Sequence, residues 1–378
     1  MINLETPREV LVSWFQTEFK DLVKSMKNCS HHYDEDNLNA YHLEGDIFTH
    51  TMMVYKTAEL LSKDNDLVKW STLLHDTGKP LAKEILDDKK KCRFIGHEGI
   101  SAHIAVDILN KTDISVEDKI KIFKLVAMHG DLFHHIKSDG TIKDDILKVF
   151  MGEKELLANL VHQVRADSLG RFYEGDKLSN TLFTHNLPEQ FAPVIDKLSN
   201  GFDTEVDNDK PELIILVGAP CSEKSSTRNK LLIDNPDLVV ISRDDLVESF
   251  AKKINLDYSE TFKFLMDNKD IEADEITNII EALKTDIIKN NKSVLIDMTS
   301  MSKKSRRKWI HSFPKHNAKC ILFIRGYDEL LKCNKKRELE TGKKISKNVI
   351  LNMLKSFALP MYSEGFTSID YNWLPRRF

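Results

Sequence analysis

"LIILVGAPCSEKSST", residues 213–227, decides how the second half of this chain is built. Leu213 to Val217 is an apolar run that reads as a strand, Gly218 ends it, and Lys224-Ser225 opens a stretch with helical character. Strand, loop and helix in that order make a phosphate-binding loop. Small residues there let backbone N–H groups curl around phosphates, the lysine reaches the terminal phosphates, and the hydroxyl residue holds Mg²⁺. Gly218, Lys224 and Ser225 stand at the expected positions, but Glu223 stands where such loops carry glycine. Glycine there can adopt a backbone geometry that is costly for a residue with a Cβ. A carboxylate about 4 Å from a phosphate charge, at an effective dielectric of about 20, is repelled by roughly 4 kcal/mol. The expectation is a weakened nucleotide site, unless Glu223 turns outward or pairs with Lys224, and the latter would take the lysine from its task.

Working outward, "LVVISR", "SVLIDM" and "KCILFIRG" are further short β-rich runs separated by longer amphipathic stretches. Alternation of this kind builds a parallel sheet from βαβ units. The polar, acidic segment "LSNGFDTEVDNDKPE" precedes them, interrupted by Gly201 and Pro211, and marks a linker. The expected organisation is a first domain at 1–197, a linker at 198–211 and a second domain at 212–378. The chain's 378 residues accommodate two domains of ordinary size. A net charge of −4 gives no overall basic excess, so any nucleic-acid contact must come from local clusters. Five scattered cysteines without a C-x-x-C pair argue against a disulfide framework or zinc ribbon. With no signal-peptide pattern and no run of about 18 apolar residues, the expectation is a cytoplasmic protein with no membrane association.

The region before residue 186 reads as helix after helix and holds twelve of the fourteen histidines. A lone histidine is ordinarily a satisfied core or surface residue. Here the succession "HLEGDIFTHT", "LLHDTGKP", "FIGHEGISAH", "LVAMHG" and "VRADSLGR" makes His50, His75, Asp76 and Asp167, with His97 and His129 outlying, candidate ligands of a metal centre. Imidazole and carboxylate suit Zn, Fe, Ni, Co or Mn. Adjacent His75 and Asp76 point roughly 100° apart on a helix, so both reach one pocket only if a helix end approaches it. Lys79, four residues after His75 on its face, is a candidate to hold an anionic substrate. Glu44 and Asp46 are either partners that orient ligand histidines or plain surface acids. His31, His32, His134 and His135 read as exposed or rim residues, while His42 and His103 stay open.

This order of motifs, over about residues 38–172, resembles the HD-domain phosphohydrolases, most closely the branch in transfer-RNA nucleotidyltransferases and bifunctional RNA end-healing enzymes. The resemblance implies that His50, His75, Asp76 and Asp167 ligate a first divalent transition metal. His97 and His129 then serve a second metal or bind substrate phosphate. A metal in such a site lowers the pKa of water towards neutrality and polarises a phosphoryl oxygen, which is phosphoester hydrolysis.

In the second half, "VVISRDDLVESF" sets Arg243-Asp244-Asp245 at a strand end, "VLIDMTS" supplies Asp297 at another, and "LKCNKKRELETGKKI" is a basic helix able to act as a lid, with Arg337 placed to neutralise a transferring phosphate. This order resembles the polynucleotide 5′-kinase family. The pairing with an HD domain resembles bifunctional nucleic-acid end-healing enzymes over nearly the full chain, including "SEGFTSID". The implied fold class is an all-helical HD domain followed by a P-loop kinase-like α/β domain with a parallel sheet. The implied activities are removal of a terminal 2′,3′-cyclic phosphate or 3′-phosphate, and Mg-dependent transfer of phosphate from ATP or GTP to a 5′-hydroxyl. RNA or DNA strand ends are the implied substrates, with a ligase acting downstream. The resemblance makes Asp244 the general base, Lys224 and Arg337 charge stabilisers and Ser225 a metal ligand; from their positions, Lys79 is the candidate catalytic cation of the HD site and Arg243 and Asp297 are candidate substrate-binding residues. Glu223 departs from the family pattern, as do Val247, where an arginine touching the acceptor phosphate is common, and Cys333, where a second lid arginine is common. The alternative is an HD nucleotide or cyclic-dinucleotide hydrolase whose kinase-like domain senses nucleotides or docks a partner. The basic run "KKSRRK", 303–308, is either a phosphate-backbone contact or a solvated helix face. Oligomeric state stays open.

Overall fold

A computed structural model describes residues 1–137, 140–174, 186–201, 207–343 and 345–375. The chain divides into two compact units, one comprising Met1–Phe202 with Gly326–Asp328 and Leu354–Leu359, the other comprising the remainder. Residues 202–206 of the expected linker lie outside the described residues.

The first unit is helical. In order come α1 (Arg8–Glu18), α2 (Lys20–Lys27), α3 (Ile47–Leu61), α4 (Asp66–Leu74), α5 (Lys79–Ala82), α6 (His97–Leu109), α7 (Val116–Met128), α8 (Ile146–Val149) and α9 (Lys154–Leu169). A short antiparallel hairpin, β1 (Glu84–Leu86) and β2 (Lys91–Arg93), interrupts the helices after α5. Helix α3 shows how the sequence directs this packing. Ile47, His50, Thr51, Val54, Tyr55 and Ala58 fall at helical spacing and are all buried. Asp46 caps the helix, accepting from the Thr49 N–H at 2.9 Å and its hydroxyl at 2.7 Å. Two glycines allow close approaches near the histidine cluster. A Cβ on Gly78 would lie 2.5 Å from the Ser101 nitrogen, and one on Gly170 would lie 2.6 Å from the Val54 Cα. Gly78 therefore lets the turn after α4 lie against α6, where its N–H donates to Ser101 Oγ at 2.8 Å.

The second unit is built on a five-stranded parallel sheet: β3 (Glu212–Val217), β4 (Val239–Ile241), β5 (Val294–Ile296), β6 (Asn317–Ile324) and β7 (Ser368–Trp373), in spatial order β4-β5-β3-β6-β7. The four β-rich runs of the sequence are strands β3 to β6. Strand β7, from "SIDYNW", is the one that the sequence pattern does not announce. Ile214, Leu216, Leu295 and Phe323 pack with Leu238 and Leu374 as one apolar layer. With β3 central, the loop that follows it sits at the carboxyl end of the sheet, beside the ends of β4 and β5, the place where open parallel sheets take ligands.

The run "KKSRRK" divides by burial. Arg306 is fully buried on the helix Lys303–Ser312, its Nε and Nη2 donating to Glu364 at 2.9 and 2.6 Å and its Nη1 to the Ser300 and Met301 carbonyls. Lys303, Lys304, Arg307 and Lys308 are exposed. Val247 is also buried, packed with Phe250, Leu265 and Ile276. Its apolar side chain fills a core.

Candidate metal centre and phosphate-binding loop

Five helices deliver the histidine and aspartate cluster from their ends. His50 lies in the first turn of α3, His75 and Asp76 follow α4, His97 opens α6, His129 follows α7, and Asp167 lies in the last turn of α9. The geometric demand set by the adjacency of His75 and Asp76 is met because α4 stops at Leu74. For the same reason Lys79 is not on the helix of His75: it opens α5 after a turn and contacts Asp76, Nζ to Oδ2, at 2.7 Å.

Asp76 is the hub. Its Oδ2 lies 3.5 Å from His50 Nε2 and 3.3 Å from His75 Nε2, while its Oδ1 lies 3.3 Å from His97 Nε2 and 3.7 Å from His129 Nε2. Asp167 Oδ1 closes the first group at 3.1 Å from His50 Nε2 and 3.9 Å from His75 Nε2. The residues thus form two groups with ligand-atom spacing, His50–His75–Asp167 and Asp76–His97–His129, the aspartate lying between them.

Hydrogen bonding on the far side of the rings fixes what the near side offers. The Nδ1 atoms of His75, His97 and His129 lie 2.7, 2.8 and 2.8 Å from the Thr72, Phe94 and Val126 carbonyls, which can only accept. Each Nδ1 is therefore a donor, and in the neutral ring each Nε2 presents a lone pair inward. His97 and His129 Nε2 face each other at 3.0 Å, an approach that two lone pairs tolerate only with a cation or proton between them. His50 Nε2, His75 Nε2, both Asp76 oxygens and Asp167 Oδ1 are buried without a well-formed hydrogen bond. Buried polar atoms are ordinarily satisfied. Five that converge with no partner beyond the ion pairs to Lys79 and Arg171 make a donor set fitted to a divalent transition metal.

Electrostatics agree. Burial would raise the Asp76 carboxyl, but the neighbouring His75 and Lys79 hold it well below the usual carboxylate range. At Asp167, burial is likewise overcome by Arg171 and His50. Both residues are carboxylates, as metal ligation requires.

Glu44 and Asp46 separate in role. Glu44 Oε1 lies 2.9 Å from Nδ1 of both His42 and His50, and its Oε2 accepts from the Phe172 N–H at 3.0 Å. Burial alone would raise this carboxyl, and the hydrogen bonds to His42 and His50 lower it below the ordinary range. Asp46 caps α3 and orients no histidine.

His31, expected at the rim, is 2% exposed. The segment carrying it runs back along residues 45–46, its N–H bonded to the Gly45 carbonyl at 2.8 Å. Its ring stacks on His42 at 4.0 Å, and its Nε2 accepts from Lys79 Nζ at 3.1 Å. His103 is a core histidine, its Nδ1 2.7 Å from the Gly99 carbonyl, with burial pushing its pKa down to about 4. His134 is exposed, and His32 and His135 are half-buried. Beside the candidate metal ligands lies a cleft of about 310 Å³ lined by His42, Lys79, Gly130, Phe133 and Arg171 together with Asp76, His97, His129 and Asp167. Arg171, to which the sequence assigned no role, contacts Asp167 Oδ1 at 3.3 Å. It lies just past the end of α9, and its position four residues after Asp167 was the available signal.

At the loop after β3, Glu223 has φ +66° and Cys221 φ +67°, both left-handed. A residue with a Cβ held there is disfavoured by about 1–2 kcal/mol, as expected for a glycine position. The carboxylate is paired: Glu223 Oε1 accepts from Arg325 Nη2 at 2.5 Å, while Arg325 Nη1 donates to the Cys221 carbonyl at 2.6 Å and to Cys333 Sγ at 3.2 Å. Lys224 does not pair with Glu223. Its Nζ donates to the Gly218 and Ala219 carbonyls, both at 2.8 Å, and burial pushes its pKa down to about 8.

Asp297, Asp244 and Arg337 all lie close enough to bear on the Lys224 charge, so the structure gathers these candidates around one lysine. Each already has a partner. Asp244 Oδ1 accepts from the Tyr258 hydroxyl at 2.8 Å, Asp297 Oδ2 from Arg228 at 3.2 Å, and Arg337 donates to Asn334 Oδ1 at 3.3 Å. Arg243 donates to Glu272 at 3.3 Å and lies over the Phe262 ring. Ser225 follows Lys224 in the first turn of the helix Lys224–Asp234.

Residues 47–167 match the HD domain family, and residues 213–360 match a family described as AAA domain. No curated protein matches the chain. Among solved structures, the chain is similar to a chain in the structure of the Pnkp1/Rnl/Hen1 RNA repair complex, with 27% identity, 41% of this chain and 46% of that one covered, and a TM-score of 0.31. It spans less than half the length of that relative. A gluconokinase from Sinorhizobium meliloti 1021 is similar at 14% identity, with 44% of this chain and 85% of that chain covered and a TM-score of 0.29. The protein is an HD domain followed by a P-loop kinase-like domain. Among the described residues, no helix is long and apolar enough to cross a membrane.

Proposed function

We propose that the HD domain is a metal-dependent phosphoesterase acting on nucleic-acid strand ends, removing a terminal 2′,3′-cyclic phosphate or 3′-phosphate, and that the kinase-like domain phosphorylates 5′-hydroxyl ends from ATP or GTP. The observation that carries the first half is the pair of ligand groups meeting at Asp76, open to a cleft that also presents two cations, Lys79 and Arg171. His50, His75, Asp76 and Asp167 would hold one divalent metal, and Asp76, His97 and His129 a second. Such an ion supplies water activation near neutral pH and polarises the phosphoryl oxygen.

The chain's own groups do the rest. Lys79, held by Asp76 and His31, and Arg171, held by Asp167, bind and orient the anionic phosphoester. Glu44 keeps His50 oriented with its Nε2 inward. Incubation with Mn, Ni, Co, Zn or Fe and an oligonucleotide ending in a 2′,3′-cyclic phosphate or 3′-phosphate tests this. Ring opening or phosphate release is expected, and none with any metal would overturn it.

In the kinase-like domain, Gly218, Lys224 and Ser225 would cradle the nucleotide phosphates and Mg²⁺, with Arg337 and Lys224 neutralising charge. Asp244 keeps one oxygen free of Tyr258 to accept the proton of the attacking hydroxyl. Arg243 and Asp297 flank the acceptor. Because Glu223 is neutralised by Arg325, the repulsion that its sequence position implies is offset, and the nucleotide site is altered without being abolished. Transfer of labelled phosphate from ATP or GTP to a 5′-hydroxyl oligonucleotide is the measurement.

A further inference from the structure

We infer that Phe133 is the platform on which the HD-domain cleft stacks the base of the nucleotide bearing the scissile phosphate, so that the site selects nucleotidic phosphoesters over phosphoesters in general. The inference rests on the proposed phosphoesterase activity and adds its substrate selectivity.

Three observations carry it. First, the cleft is larger than a phosphate needs: about 310 Å³ lies at the lower end of sites that take a small organic ligand. Second, its lining is polar or charged except for Phe133 and Gly130. Lys79 and Arg171, and a metal held by the histidines and aspartates, suit an anion, and none accounts for an aromatic ring at the same mouth. Third, the ring is 37% exposed and makes no aromatic or cation–π contact among the described residues. Its neighbour Leu132 is fully buried and anchors the short 3-10 helix Asp131–His135, which leaves α7 immediately after the ligand His129. The backbone that places a metal ligand therefore also sets the ring.

An isolated exposed phenylalanine is ordinary on a protein surface. One fixed at the rim of a cationic cleft has the chemistry of nucleobase recognition, in which an aromatic face stacks a base while cations hold its phosphate. The stacking is sequence-tolerant, because every base has a π-face.

The test compares the protein with its Phe133→Ala and Phe133→Trp variants on two ligand pairs. For binding, calorimetry of metal-loaded protein uses a nucleoside 3′-monophosphate and inorganic phosphate. For turnover, an oligonucleotide 3′-phosphate is compared with the same strand ending in an abasic sugar 3′-phosphate. Phe133→Ala should lower affinity for the nucleoside monophosphate about tenfold and leave inorganic phosphate unchanged. It should raise KM for the base-bearing end and leave kcat, and the abasic end, unaltered. Phe133→Trp should preserve the preference for a base. Equal losses on both members of each pair, or no loss on either, would overturn the inference. If base-dependent binding appears but no strand end is hydrolysed, the stacking site stands and the strand-end phosphoesterase is what fails.

Discussion

The two candidate sites of this chain differ in how their charges are satisfied. In the HD domain, His50 Nε2, His75 Nε2, both Asp76 oxygens and Asp167 Oδ1 are buried and close together, with ion pairs to Lys79 and Arg171 but without well-formed hydrogen bonds. At the phosphate-binding loop the charged groups are bonded to protein partners: Lys224 to loop carbonyls, Glu223 to Arg325, Asp244 to Tyr258 and Asp297 to Arg228. A buried polar group without a partner is destabilised until a ligand arrives. The first site is accordingly arranged to gain from a cation, whereas a nucleotide entering the second must exchange existing contacts for new ones.

The sharpest way to break this comparison is at Asp76. Asp76→Asn removes the charge shared by both ligand groups and should lower phosphoesterase activity by roughly a thousandfold or more, with metal content after dialysis falling in parallel. Near-normal metal retention would mean that the unsatisfied atoms serve another purpose. Next is Glu44→Gln, which leaves every proposed ligand in place. Metal affinity should weaken about 10- to 100-fold, measured by competition with a chelator, and an unchanged affinity would make Glu44 a bystander.

At the loop, Arg325→Met should release the Glu223 carboxylate and weaken ATP binding about tenfold, while Glu223→Gly leaves Arg325 short of its anion, a cost of about 1–3 kcal/mol that relief of the left-handed backbone offsets by about 1–2 kcal/mol. In the double variant the effects should not add, with a coupling of about 0.5–3 kcal/mol. Additive losses, from calorimetry and denaturant unfolding, would show the pair to be incidental. The smallest effect is on pH. Burial sets the Lys224 pKa to about 8, and the charged form is the one that binds phosphate, so ATP affinity should fall as pH rises through 8. The decline should be only a few-fold, since bound phosphate favours the ammonium form, and should vanish in Lys224→Arg.

Much of this was legible in the sequence because it depends on local spacing. The β-rich runs fix β3 to β6, and the candidate ligand residues stand out by type and by the order of the motifs that carry them. What the sequence withheld depends on contacts between distant segments. Nothing near Glu223 in the chain reveals that Arg325, at the end of β6, would neutralise it. Nothing near His31 shows that its segment folds back to residues 45–46 and buries it under Lys79. Val247 is a third case. A pattern of family positions makes it a missing arginine, yet its burial against Phe250 and Leu265 gives it a packing role. Strand β7 escaped because "SIDYNW" mixes polar and apolar residues as an edge strand does, without the continuous apolar run of the inner strands.

The buried pairing of Arg306 with Glu364 bears on how the chain can be shortened. A truncation ending before residue 364 would remove the carboxylate and strand a guanidinium in the interior, an effect worth about 3–5 kcal/mol. Loss of nucleotide binding in such a fragment would then report a collapsed sheet, and deletion mapping of this half of the protein should keep residues 303–312 and 362–373 together.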